Sequence, residues 1–146
     1  DIHNQLLLLK STNTNDISEI IILSPVWLEN FSIGSSRFQY FIFPESTKHV
    51  FQVLGNDSIL LLYYWKKDLK PANVNGDKNL VFITKREQSI LLNSTLLGFY
   101  NNRSFYHLFT KEKQIAIKKY LRSNKIRVRK ASDETMEKLI NYCSKL

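Results

Sequence analysis

The feature that most constrains this chain is the spacing of its apolar runs. Gln5 to Leu9, Ile17 to Leu23, Arg37 to Phe43, His49 to Leu54, Ile59 to Lys66, Asn79 to Thr84 and Gln88 to Leu92 are short and rich in Leu, Ile, Val, Phe and Tyr, residues that suit a pleated surface. Turn-formers separate them: Ser11-Thr12-Asn13, Pro44-Glu45, Gly55-Asn56-Asp57 and Asn75-Gly76-Asp77. Parallel crossovers need a dozen or more intervening residues, usually helical, so this spacing predicts antiparallel hairpins. The clearest joins His49–Leu54 to Ser58–Lys66 through Gly55-Asn56-Asp57, where Gly55 can take the positive φ that such a turn demands. Ser24 to Ser35, which carries Pro25, Trp27, Leu28 and Phe31, is expected to be a loop packed on the sheet. Lys66 to Lys78 (KKDLKPANVNGDK) reads as a long surface loop.

From Arg103 the period becomes helical. A short helix over about Arg103 to Phe109 is expected to precede one over Lys111 to Arg122, with Thr110 as N-cap. On a helical wheel Ala116, Ile117, Tyr120 and Leu121 share one side, and Lys111, Lys118, Lys119 and Arg122 the other. Lys125 to Lys130 then alternates Ile126 and Val128 with Lys125, Arg127 and Arg129, the period of an extended segment with one basic face. Ser132 caps a last helix, with Asp133 and Glu134 in its first turn and Met136, Leu139, Ile140 and Cys143 as its apolar stripe. The expected fold is α+β: one domain of 146 residues, with an antiparallel β-rich part over 1–100 packed with helices over 101–146.

Charge is placed as unevenly as period. The stretch KEKQIAIKKYLRSNKIRVRK, residues 111–130, holds nine bases and one acid, which equals the whole formal net charge of +8. The remainder, with twelve bases and twelve acids, is neutral. Clustered charge makes a local field able to attract an anionic partner, and Lys118, Lys119, Arg122, Arg127 and Arg129 are the candidate contacts. A solvated face explains the same residues, and bases late in a helix also complement its dipole. A helix-turn-helix is disfavoured, because the connection from Ser123 to Ala131 is too long and Asp133, Glu134 and Glu137 give the following helix the wrong sign.

Other constellations carry less. Ile59 to Lys67 (ILLLYYWKK) is apolar on both faces, as a covered central strand is. The motifs GxGxxG, GxxxxGK[ST] and GxSxG do not occur, and His3, His49 and His107 have no partner at metal-ligand spacing, so neither catalytic machinery nor a cofactor is expected. Cys143, the only cysteine, sits on an apolar stripe and reads as core. The longest apolar stretch, Ile59 to Trp65, falls far short of the roughly 18 to 20 residues that span a bilayer as a helix.

In the C-terminal third, Ile117-Lys118-Lys119-Tyr120-Leu121, Asn124-Lys125-Ile126, Arg129-Lys130 and Leu139-Ile140-Asn141-Tyr142 with Ser144 and Leu146 form a pattern. It resembles that of a group of uncharacterised exported proteins of Gram-negative bacteria. Glu19 to Phe43 and the hairpin about Gly55 are similar more loosely, and the chain departs from the pattern at Leu96-Leu97-Gly98-Phe99, where relatives show a polar turn. The resemblance implies a β-rich region followed by helices, removal of a signal peptide with Asp1 near the processed terminus, and a secreted, periplasmic or envelope location. It carries over no catalytic residue. The functional expectation is a non-enzymatic binding or structural protein with a protein or glycan partner in the envelope. The alternative is a nucleic-acid or anionic-partner module that uses residues 111–130.

Overall fold

The computed structural model describes residues 6–12, 18–43, 48–56, 58–74 and 77–146. Eight strands precede three helices: β1 (Leu7–Thr12), β2 (Ser18–Leu23), β3 (Asn30–Ile33), β4 (Ser36–Phe41), β5 (His49–Asn56), β6 (Ile59–Val74), β7 (Asp77–Leu92), β8 (Thr95–Phe99), α1 (Asn102–Tyr106), α2 (Lys111–Ser123) and α3 (Asp133–Cys143). The class is α+β. Strands β1 and β2 form a two-stranded sheet, and β3 to β8 form a six-stranded sheet in sequence order, the arrangement that short hairpin spacing predicts.

Strand takes most of one expected loop and part of another. Residues 66–74 continue β6 and 77–78 open β7, with 75–76 outside the described residues, because cross-strand pairing holds a polar ribbon without a hydrophobic face. Asp68 accepts a charge-assisted hydrogen bond from Lys85, which holds its carboxyl below the usual range, and the Arg86 guanidinium lies 5.5 Å from the centre of the Trp65 ring. Asn79–Thr84 and Gln88–Leu92 are accordingly parts of the single strand β7. Within 24–35, β3 pairs with β4, Phe31 opposite Phe38 with their rings stacked at 5.1 Å. Gly34 takes φ +59° in the two-residue connection, as a glycine at the first position of a type II′ turn does. Trp27 is 88% exposed rather than packed on the sheet.

The chain divides into two compact units. Unit 1 comprises Asp1–Gln52 and Tyr64–Arg86, and unit 2 comprises Val53–Tyr63 and Glu87–Leu146. In unit 1, Phe51 meets Phe41 and Phe43 edge-on at 5.8 Å, and the Trp65 indole N–H donates to Gln52 Oε1 at 3.0 Å. Lys48 donates to the carbonyls of Pro25 and Leu28, tethering the turn that begins at Pro25.

Unit 2 holds most of the core. Leu61, Leu62 and Tyr63 of β6, Ile90 of β7, Phe105 of α1, Ile117 of α2 and Met136, Leu139, Ile140 and Cys143 of α3 are fully buried. The stripe expected on the last helix is therefore its packed side, and Ser132 caps that helix by accepting from the Thr135 N–H. The hairpin expected around Gly55 forms, although Asp57 lies outside the described residues. Gly55 has φ +97°, and a Cβ there would meet Ile140 Cγ2 and the Ile59 carbonyl oxygen, both at 2.7 Å, so the strand end and α3 approach too closely for any side chain. Between Leu92 and Thr95, Asn93 and Ser94 both have positive φ, the two-residue I′ pattern that adds β8, a strand absent from the sequence expectation.

Candidate functional site

The basic stretch begins on α2. Its inward side is fixed by buried Ile117 and Leu121 and by Tyr120, whose ring stacks on Tyr142 of α3 at 4.1 Å. Gln114 donates its side-chain amide to the Phe109 carbonyl at 2.9 Å. Glu112, the one acid of the stretch, accepts from its own backbone N–H and from the Thr110 hydroxyl, which lowers its pKa and ties the carboxylate to the helix start.

The outward side carries Lys111, Ile115, Lys118, Lys119 and Arg122, all exposed. An open depression of about 450 Å³ lies among them and is lined by α2 residues. Lys118 and Arg122 are one turn apart, close enough to share an anionic neighbour, and the Lys118 ammonium sits 4.8 Å from the centre of the Tyr106 ring. Ile115 is 75% exposed in the middle of these bases.

The remaining candidates follow a different device. The expected extended segment 125–130 is not a strand. Lys125 has φ +52°, its N–H donates to the Arg122 carbonyl at 3.1 Å, and Ile126 donates to Leu121 at 2.9 Å, which together form a Schellman closure of α2. Asn102 of α1 then acts in place of a neighbouring strand: its amide donates to the Ile126 carbonyl at 2.7 Å and accepts from the Val128 N–H at 2.9 Å. A turn closes from Arg127 to Lys130. Ile126 and Val128 are buried while Arg127 and Arg129 are exposed, so the expected alternation survives without the strand.

Of the five candidate contacts, Lys118, Lys119 and Arg122 share one helix face, whereas Arg127 and Arg129 do not line its depression. The ion pairs Asp68–Lys85 and Glu134–Lys138 involve none of the five. Sequence reasoning missed Ile115 and Asn102. A wheel signals the first, since it falls among the bases, but nothing local signals the second, whose partners are 24 and 26 residues away.

A second surface lies in unit 1. In the β1–β2 register Leu8 faces Ile22 and Leu9 faces Ile21. Neighbouring pairs point to opposite sides of a ribbon, so both sides are apolar, and all four residues are exposed, as is Ile20. Val26, Trp27, Ile33, Ile42, Leu80 and Phe82 add to the exposed apolar residues of the unit. The sequence signal was the unbroken apolar character of Leu6–Leu9 and Ile20–Leu23, where a half-covered strand would alternate.

Titratable groups elsewhere are scattered. Tyr64 Oη and His49 Nδ1 lie 3.3 Å apart, and His107 packs on Tyr106; His3 lies outside the described residues. Burial pushes the Cys143 thiol up to about 12, outweighing the opposing pull of Lys113, so it is protonated at neutral pH. Among the described residues no cluster of three or more His, Cys, Asp or Glu is placed to hold a metal, and no helix is long and apolar enough to cross a membrane. Comparison with family models, curated proteins and solved structures returned no match.

Proposed function

We propose that this chain is a non-enzymatic binding protein of the cell envelope, in which unit 2 supplies a packed scaffold and unit 1 an apolar β surface for a protein partner. The observation that carries this reading is the two-sided exposure of Leu8, Leu9, Ile21 and Ile22 in one ribbon. Exposed apolar surface of this kind marks interaction sites, and a two-stranded ribbon alone is marginally stable. Aliphatic residues on both sides suit a protein better than a glycan, which stacks on aromatic platforms. Export rests on the resemblance of residues 117–146 to exported proteins. Pull-down from envelope extracts with the purified chain is expected to retain a protein, and Ile20→Ser with Ile22→Ser to lose it. Equal capture by both forms removes the reading, as does retention of the full-length precursor in the cytoplasm.

The second reading is an anion-contacting module, favoured by the grouping of Lys118, Lys119 and Arg122 on one exposed helix face. Phosphate contacts weaken steeply as salt rises, so polyanion binding at low salt that fades on salt titration supports it. Absence of binding at low salt removes it.

A further inference from the structure

We propose that the outward face of α2 docks on an anionic phospholipid surface, with Ile115 entering the headgroup layer and Lys111, Lys118, Lys119 and Arg122 meeting the lipid phosphates around it. This rests on the anion-contact reading and names its partner.

Geometry carries the choice. At roughly 100° per residue, the four bases fall within about 60° of Ile115 on the helix circumference, Arg122, Lys111 and Lys118 to one side and Lys119 to the other. Ile115 is therefore central to the charged face, and it is 75% exposed. An aliphatic side chain ringed by long, flexible cations matches a surface with charge at its rim and hydrocarbon beneath: the stems lie along the apolar layer while the charged heads stay at phosphate level. Opposite this face, Ile117, Leu121 and the Tyr120–Tyr142 stack hold α2 in place.

Two other anionic partners fit less well. In duplex nucleic acid an amide side chain reads adenine, and the Gln114 amide of this face already donates to Phe109, which leaves its bases to phosphates and guanine edges. Single-stranded bases need aromatic platforms, and the Tyr106 ring is occupied by the Lys118 ammonium. Both would also leave Ile115 without a role. A small free anion is served poorly by an open depression lined mainly by exposed side chains.

The full chain is sedimented with vesicles of phosphatidylcholine alone and with vesicles that also contain phosphatidylglycerol; heparin and duplex DNA serve as soluble polyanions. Binding is expected only to the phosphatidylglycerol vesicles among the two, and it fades with salt. Each base near an anionic leaflet contributes about a fivefold factor, so Lys118→Gln, Lys119→Gln and Arg122→Gln together should lower vesicle binding roughly a hundredfold. Ile115→Ser should lower it several-fold and leave heparin binding unchanged, with far-UV circular dichroism confirming that each variant keeps its helices. Binding to heparin or DNA without binding to phosphatidylglycerol vesicles overturns the lipid proposal and leaves the anion-contact reading standing. Binding to none of them at low salt overturns both, and vesicle binding indifferent to Ile115→Ser overturns the docking geometry.

Discussion

The two units treat the same kind of residue in opposite ways. Of the buried apolar side chains among the described residues, only Tyr40 and Phe51 belong to unit 1, while unit 2 buries apolar residues from β5, β6, β7, β8 and all three helices. Unit 1 instead exposes Ile, Leu and Phe side chains from β1, β2, β6 and β7. Leu61 and Ile22 are both aliphatic strand residues, one buried and one exposed. Cover makes the difference: α2 and α3 bring apolar stripes at helical spacing, and unit 1 contains no helix among its described residues. Apolar content alone thus decides neither burial nor stability, and the uncovered ribbon is where a partner has most to offer.

The sharpest break between the units is a large-to-small substitution in each. Leu139→Ala removes a fully buried side chain and should cost between about 2 and 5 kcal/mol. Ile22→Ala, at an exposed position, should cost less than about 0.5 kcal/mol. The chain supplies separate probes, since all three helices lie in unit 2 and both tryptophans, Trp27 and Trp65, in unit 1. In urea denaturation, Leu139→Ala is expected to shift the helical circular-dichroism transition and leave the tryptophan fluorescence transition in place. A common shift of both signals would make the units one cooperative body.

A pair of glycines repeats the contrast on the backbone. Gly34 and Gly55 both have positive φ, but a Cβ at Gly34 meets nothing within 4 Å, and one at Gly55 meets Ile140 and the Ile59 carbonyl. Gly34→Ala should therefore cost only the left-handed penalty, about 1 kcal/mol. Gly55→Ala adds overpacking against a fixed backbone atom and should cost about 3 kcal/mol. Equal costs, by the same denaturation, would mean that α3 yields where the packing says it cannot.

How far these differences could be read in advance depends on where the determinants lie. The last helix was legible because Ser132, Asp133, Glu134 and the stripe through Cys143 are local signals that agree with one another. The hairpin ribbon of β6 and β7 was not: Lys67, Asp68, Lys70 and Pro71 are loop residues by composition, and pairing across the ribbon overrode that preference. On the candidate face the helical side shared by Lys118, Lys119 and Arg122 was legible on a wheel, while the hold of Asn102 on the segment with Arg127 and Arg129 depends on contacts between distant residues. The exposure of β1 and β2 was hidden for a further reason, because an apolar run looks the same whether it is covered or waiting for cover.

The packed unit also makes stability depend on pH. With the Cys143 thiol raised to about 12, the folded state keeps a proton that the unfolded chain releases above about pH 8.5. The sign follows: this contribution is complete below about pH 8.5 and declines as pH rises towards 12, by about 1 kcal/mol per pH unit in the steep part. Cys143→Ala should flatten that slope in helix-monitored denaturation, whatever its constant cost in packing. Thiol reagents at neutral pH should modify Cys143 only as fast as unit 2 opens.

The smallest expected effect has the opposite sign and tests how much strain the packed unit carries. Lys125 holds a left-handed conformation that glycine usually supplies at this position after a helix. It is kept there by the hydrogen bond from Ile126 to Leu121 and by the burial of both side chains, so the packing on either side overdetermines the backbone. Lys125→Gly relieves the steric penalty but gives the unfolded chain more freedom, and the two terms partly cancel. The expected net is a gain of about 0.5 to 1 kcal/mol in the helix-monitored transition, with vesicle binding almost unchanged because Lys125 lies outside the α2 face. A loss of stability instead would show that the lysine side chain contributes more at the end of α2 than its backbone conformation costs, and would draw Lys125 into the working part of the basic stretch.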